Sequence, residues 1–255
     1  MLKRRVIPTL LLKGVGLVKG KSFDSWRRVG TLLPAIRVYQ TRDVDEIVLL
    51  DISATEEGRG PDLAAVKDAA LECAVPLTAG GGVRSLEEVK NLLRAGADKV
   101  LINSAAYDDP ALIRAASRTF GAQCVVAGID VRGVGNEATC VGRRGTRDEG
   151  ITPRDHARRL EELGAGELLL TSVERDGTMA GYDVDTLREV AAAVTIPVIA
   201  SGGAGSYEHM HDALVRGGAS AVAAASIFHY TELTPLGAKA YLAARGIPVR
   251  STSTR

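Results

Sequence analysis

The chain has 255 residues, 45% apolar and 25% charged, with a formal net charge of +1. That is enough to bury one large core, and balanced acids and bases without a long basic stripe exclude nucleic acid or an anionic membrane as expected partners. Cys73, Cys124 and Cys140 are too few and too scattered for a disulfide framework or a zinc site; no metal or cofactor is expected. Residues 1–20, interrupted by Pro8 and Lys13, lack the apolar stretch and cleavage site of a secretory leader. No run approaches bilayer-spanning length, so a cytoplasmic protein is expected.

Short, near-continuous apolar runs recur at residues 6–12, 46–51, 76–79, 99–102, 125–130, 167–171, 197–200 and 221–224. Apolarity without alternation marks strands buried on both faces of a parallel sheet. Amphipathic stretches lie between them. Residues 86–95 open with Ser85 and Glu88 in capping-box spacing, and residues 153–163 place Pro153 in a first turn after Thr152. Eight alternating units predict an α/β fold, a closed (β/α)8 TIM barrel, with the open doubly wound sheet as the competitor.

An internal repeat favours the barrel. Residues 76–85, PLTAGGGVRS, lead to Asn103-Ser104, and residues 197–206, PVIASGGAGS, lead to Ala225-Ser226. Two half-barrel repeats are expected, about 1–122 and 123–255.

In such a barrel the site lies at the C-terminal ends of the strands. There Gly82, Gly202 and Gly203 allow close backbone approach to an anion, and Asn103-Ser104 and Ala225-Ser226 precede helix starts. A tight βα turn explains one Gly-Gly pair equally well. Its repetition at matching positions points instead to two phosphate sites, one per half. Asp51 and Asp130 close the second and fifth strands and Asp176 follows the sixth; a carboxylate at an apolar mouth serves ligand or catalysis, unless it caps a helix or pairs with an arginine.

With Leu-Leu-Asp51-Ile, Gly-Gly-Gly82-Val-Arg, Ala-Gly-Ala-Asp98-Lys99-Val, Ile-Asn103-Ser-Ala-Ala, Arg175-Asp176-Gly-Thr and Ala-Ser-Gly-Gly203-Ala-Gly in place, the chain resembles the cyclase subunit of imidazole glycerol phosphate synthase over essentially its whole length. The resemblance implies a barrel that binds a two-phosphate substrate at its mouth. It implies that a C–N bond is split and an imidazole ring closed there, with ammonia from a class I glutaminase docked at the opposite end. Asp130, Asp176 and Lys19 are then the catalytic candidates. Asp51, Gly82, Asn103, Ser104, Thr171, Gly177, Gly202, Gly203, Ala225 and Ser226 would hold substrate or its phosphates. Arg5, Glu46, Lys99 and Glu167, at strand starts, match the family's ammonia gate, with Asp98 at the partner interface. A purely structural ring of salt bridges is the alternative.

Two departures stand out. The family uses aspartates at the ends of the first and fifth strands as acid and base, and here Leu11 holds the first position. Leucine transfers no proton. In the fifth loop, Arg143, Arg144 and Arg147 crowd a segment where family members carry a small polar residue before the glycine; arginine forks suit phosphate or carboxylate, and solvated loop arginines are the alternative. The pattern around Lys13 and Lys19 looks like a paralogous branch tied to surface-polysaccharide or other specialised amidation, in which a third, amidotransferase-like protein takes part. The expected function is therefore a synthase subunit using channelled ammonia on a phosphorylated substrate. The alternatives are an ordinary cyclase of histidine biosynthesis and a non-catalytic subunit that only passes ammonia.

Overall fold

A computed structural model describes residues 3–250. In chain order the first half forms β1 (Arg5–Lys13), β2 (Gly16–Lys21), β3 (Asp24–Gly30), α1 (Leu32–Thr41), β4 (Ile47–Asp51), α2 (Leu63–Glu72), β5 (Leu77–Gly80), α3 (Leu86–Arg94), β6 (Lys99–Ile102), α4 (Ser104–Asp108) and α5 (Ala111–Phe120). The second forms β7 (Val125–Arg132), β8 (Thr139–Gly142), β9 (Arg147–Asp148), α6 (Pro153–Glu162), β10 (Glu167–Ser172), α7 (Val184–Ala193), β11 (Val198–Ser201), α8 (Tyr207–Val215), β12 (Ala221–Ala224), α9 (Ser226–Tyr230) and α10 (Pro235–Ala243).

Strands β1, β4, β5, β6, β7, β10, β11 and β12 pair in parallel in that order, and β12 returns to β1 with Val222 beside Val6. The sheet therefore closes into a (β/α)8 barrel. Side-chain alternation divides each strand between two cores. Ile7, Val48, Leu101, Val126, Leu169 and Ile199 fill the lumen, while Val6, Leu10, Leu49, Val100, Leu168 and Val222 pack outward with helical residues such as Ile36, Leu92 and Leu160.

Local signals set the helices. Ser85 accepts from the Glu88 N–H, and the Glu88 carboxylate accepts in turn from the Arg84 N–H at 2.6 Å, one residue earlier than a standard capping box. Thr152 caps α6, with Pro153 in its first turn.

Each half carries the same additions. An antiparallel extension follows the first strand of each, β2–β3 on β1 and β8–β9 on β7. A five-residue helix, α4 or α9, follows the fourth. Among the described residues no helix is long and apolar enough to cross a membrane.

Candidate functional site at the barrel mouth

The C-terminal ends of the eight strands surround a cavity of about 540 Å³. All thirteen mouth residues singled out from the sequence line it: Lys19, Asp51, Gly82, Asn103, Ser104, Asp130, Thr171, Asp176, Gly177, Gly202, Gly203, Ala225 and Ser226. Strand parity explains the convergence. Thr9 and Leu11, two and four residues beyond lumen-facing Ile7, reach the mouth from β1, and Asp130 reaches it from β7 beside Thr171.

Asp130 is buried and its Oδ2 accepts from Asn103 Nδ2 at 2.8 Å. Burial pushes its pKa up to about 7; the Asn103 hydrogen bond opposes the rise and the Asp176 carboxylate adds to it. Such a carboxyl can give or take a proton near neutral pH. Asn103 does not cap α4 with its side chain, and its Oδ1 has no partner. Thr9 Oγ1 and Ser226 Oγ are likewise buried without partners, so the cavity lining keeps polar capacity for a ligand.

Lys19, 2% exposed, donates to both oxygens of Asp176 at 2.7 and 2.6 Å. The pair ties the β2 extension to the loop after β10. Asp51 lines the mouth with its carboxylate already partnered. Arg59 grips its two oxygens at 2.6 and 3.1 Å, and the N–H groups of Ser53 and Ala54 donate at 3.2 Å each. Its carboxylate thus shapes the loop after β4, as in the arginine-paired alternative, while the residue keeps its place in the cavity wall.

Two glycines are required by geometry. Gly82 has φ +73°, and a Cβ there would lie 2.6 Å from the Ala54 Cβ and the Arg59 carbonyl; Gly203 has φ +108°, and its Cβ would strike the Gly181 carbonyl. Opposite Asp130, with three strands between them on either side, stands Leu11, 9% exposed. The mouth therefore has a carboxyl on one wall and a hydrocarbon on the other.

At the other end of the barrel four side chains close a ring. Arg5 donates to Glu46 at 2.7 Å and pairs with Glu167; Lys99 donates to Glu46 at 2.9 and 3.0 Å and to Glu167 at 2.9 Å. Thr78 Oγ1 also donates to Glu46, at 2.7 Å, a ring member that its place inside an apolar run concealed. Asp98 lies exposed beside Lys99, its carboxylate accepting from the Leu77 N–H at 2.8 Å. A second basal cluster escaped the sequence reading: Lys239, 1% exposed, donates to Asp43 at 2.7 Å and Asp45 at 3.1 Å, and Arg250 pairs with both acids.

A closed parallel barrel with a polar, glycine-lined mouth, a near-neutral buried acid and a charged ring at its base places the chain among the (β/α)8 barrel proteins. Residues 5–234 match the family described as "Histidine biosynthesis protein", and the chain belongs to that family. It is 51% identical over 251 residues to the imidazole glycerol phosphate synthase subunit HisF of Hyphomonas neptunium, covering 98% of this chain and all of that protein. These similarities agree with the resemblance to the cyclase subunit. They carry nothing toward a polysaccharide-linked branch, and they fit the histidine-biosynthesis alternative better than the specialised reading.

Proposed function

We propose that this chain is the ammonia-using synthase subunit of a two-component glutamine amidotransferase of the imidazole glycerol phosphate synthase type. The observation that carries the reading is one barrel with a sealed Arg5–Glu46–Lys99–Glu167 ring at its base and, at its mouth, Asp130 between two glycine-lined strand ends. A ring of four paired charges is more than a lumen plug needs, and it suits a gate that admits neutral ammonia while holding back water and ions. The glutaminase, a class I enzyme, docks around Asp98. The substrate's two phosphates rest at Gly82 with Asn103-Ser104 and at Gly177, Gly202 and Gly203 with Ala225-Ser226. Asp130 moves the proton, and Lys19 with Asp176 holds charge beside it.

The similarity to a histidine-pathway subunit makes that pathway's two-phosphate intermediate the first substrate to test. Leu11 is the observation favouring a second reading, in which ammonia serves amidation of a phosphorylated sugar or specialised metabolite with a third, amidotransferase-like protein. The test supplies purified chain with ammonium and the histidine-pathway intermediate. Ammonia-dependent ring closure supports the first substrate, ammonia transfer only to another phosphorylated acceptor supports the second, and no ammonia-dependent reaction with either overturns the proposal.

A further inference from the structure

The β8–β9 turn is built at a conformational cost. Arg143, Arg144 and Gly145 take successive left-handed conformations with φ of +47°, +60° and +76°, and each arginine there costs about 1–2 kcal/mol. Neighbours hold the turn in place: Arg132 donates to the Gly145 carbonyl at 2.6 Å, and the Arg143 N–H donates to Ser104 Oγ at 3.0 Å. The consequence is that both arginines of the turn line the rim, where Arg84 also stands.

Their partners differ. Arg143 lies 3.5 Å from Asp108, which Arg147 already holds at 2.8 Å. Arg144 pairs with Glu56, in the loop after β4, whose side chain is 66% exposed. Since β5 and β6 lie between β4 and β7, the Arg144–Glu56 pair spans the strand ends that carry Gly82 and Ser104. Arg144 Nε is buried without a partner, leaving the guanidinium fork half used. An ion pair with so exposed a glutamate is weak and exchangeable, whereas a phosphate can take both edges of the fork. The other half of the mouth has no counterpart: among the described residues from 148 onward no arginine lines the cavity.

We infer that Arg144 is a specificity-determining residue that leaves Glu56 for a substrate phosphate seated at Gly82 and Ser104, so that this end of the mouth binds a phosphate dianion more tightly than the Gly203–Ser226 end. The inference rests on the two-phosphate reading above and adds an inequality between the two ends. The turn that presents Arg144 is thereby assigned to substrate selection.

Inorganic phosphate titrated into the full chain, followed by the amide NMR shifts of Gly82 and Ser104 against those of Gly203 and Ser226, reads each end separately. In the unmodified chain the first pair should saturate at lower phosphate. Arg144→Ala should weaken that end about tenfold or more and leave the second end unchanged, which also reports an intact fold. Glu56→Gln should tighten the first end by up to about fivefold, because it removes the competing carboxylate. Unchanged binding at the first end in both variants, or equal weakening at both ends in Arg144→Ala, overturns the inference while leaving the two-phosphate reading standing. Absence of saturable shifts at both ends in the unmodified chain overturns both.

Discussion

Burial strips water from the Asp130 carboxyl and Asp176 adds negative charge nearby, so its proton is held to about pH 7 in the folded chain, against about 3.9 when unfolded. Between those values the folded chain binds a proton that the unfolded chain has lost. The associated stability is present below about pH 4 and is lost as pH rises through 7. Asp130→Asn should therefore match the parent's urea stability near pH 4 and exceed it by a few kcal/mol, about 1.4 per pKa unit, at pH 8; a variant less stable than the parent at pH 8 would contradict this origin of the shift. Across the mouth, Leu11→Asp places a carboxylate where the resemblance to the cyclase family implies one. If the pocket accepts the histidine-pathway intermediate, ammonia-dependent turnover should rise by about a hundredfold or more, measured as product per enzyme at saturating ammonium. No gain would point to the specialised substrate.

The barrel strands are legible because burial on both faces leaves an apolar run that needs no partner for its recognition, and residues 99–102 and 221–224 coincide with β6 and β12. The β2–β3 and β8–β9 extensions were not. β3 is largely exposed along Asp24–Gly30 and holds its place by pairing with β2, so it leaves no burial pattern to read. The site divides in the same way. Strand parity and the repeated glycines mark which residues reach the mouth, but the partners of Lys19 and Lys239 lie about 157 and 196 residues away, and spacing carries no trace of such pairs. Glycine is where sequence and element agree most firmly: Gly203→Ala sets a Cβ against the Gly181 carbonyl at φ +108°, and should cost at least about 1–3 kcal/mol in thermal or urea unfolding. A neutral result would mean that the loop after β11 yields freely.

At the scale of the molecule, the base and the mouth are separate ends of one lumen, and their perturbations should separate too. Lys99→Ala removes a cation shared by two buried glutamates, which should cost about 3 kcal/mol. If the ring is the proposed ammonia gate, the substitution should also uncouple glutamine hydrolysis by a glutaminase partner from synthesis at the mouth while leaving phosphate binding intact; equal loss at both ends would dissolve the distinction. Whether Asp130 carries the proposed proton transfer without a second aspartate is decided by ammonia-dependent turnover of the histidine-pathway intermediate. The unmodified chain, Asp130→Asn and a family member with aspartates at both strand ends are to be compared. Turnover should lie at least about a hundredfold below that of the two-aspartate protein and be abolished by Asp130→Asn. Turnover within a fewfold of that protein, or turnover persisting in Asp130→Asn, would contradict it.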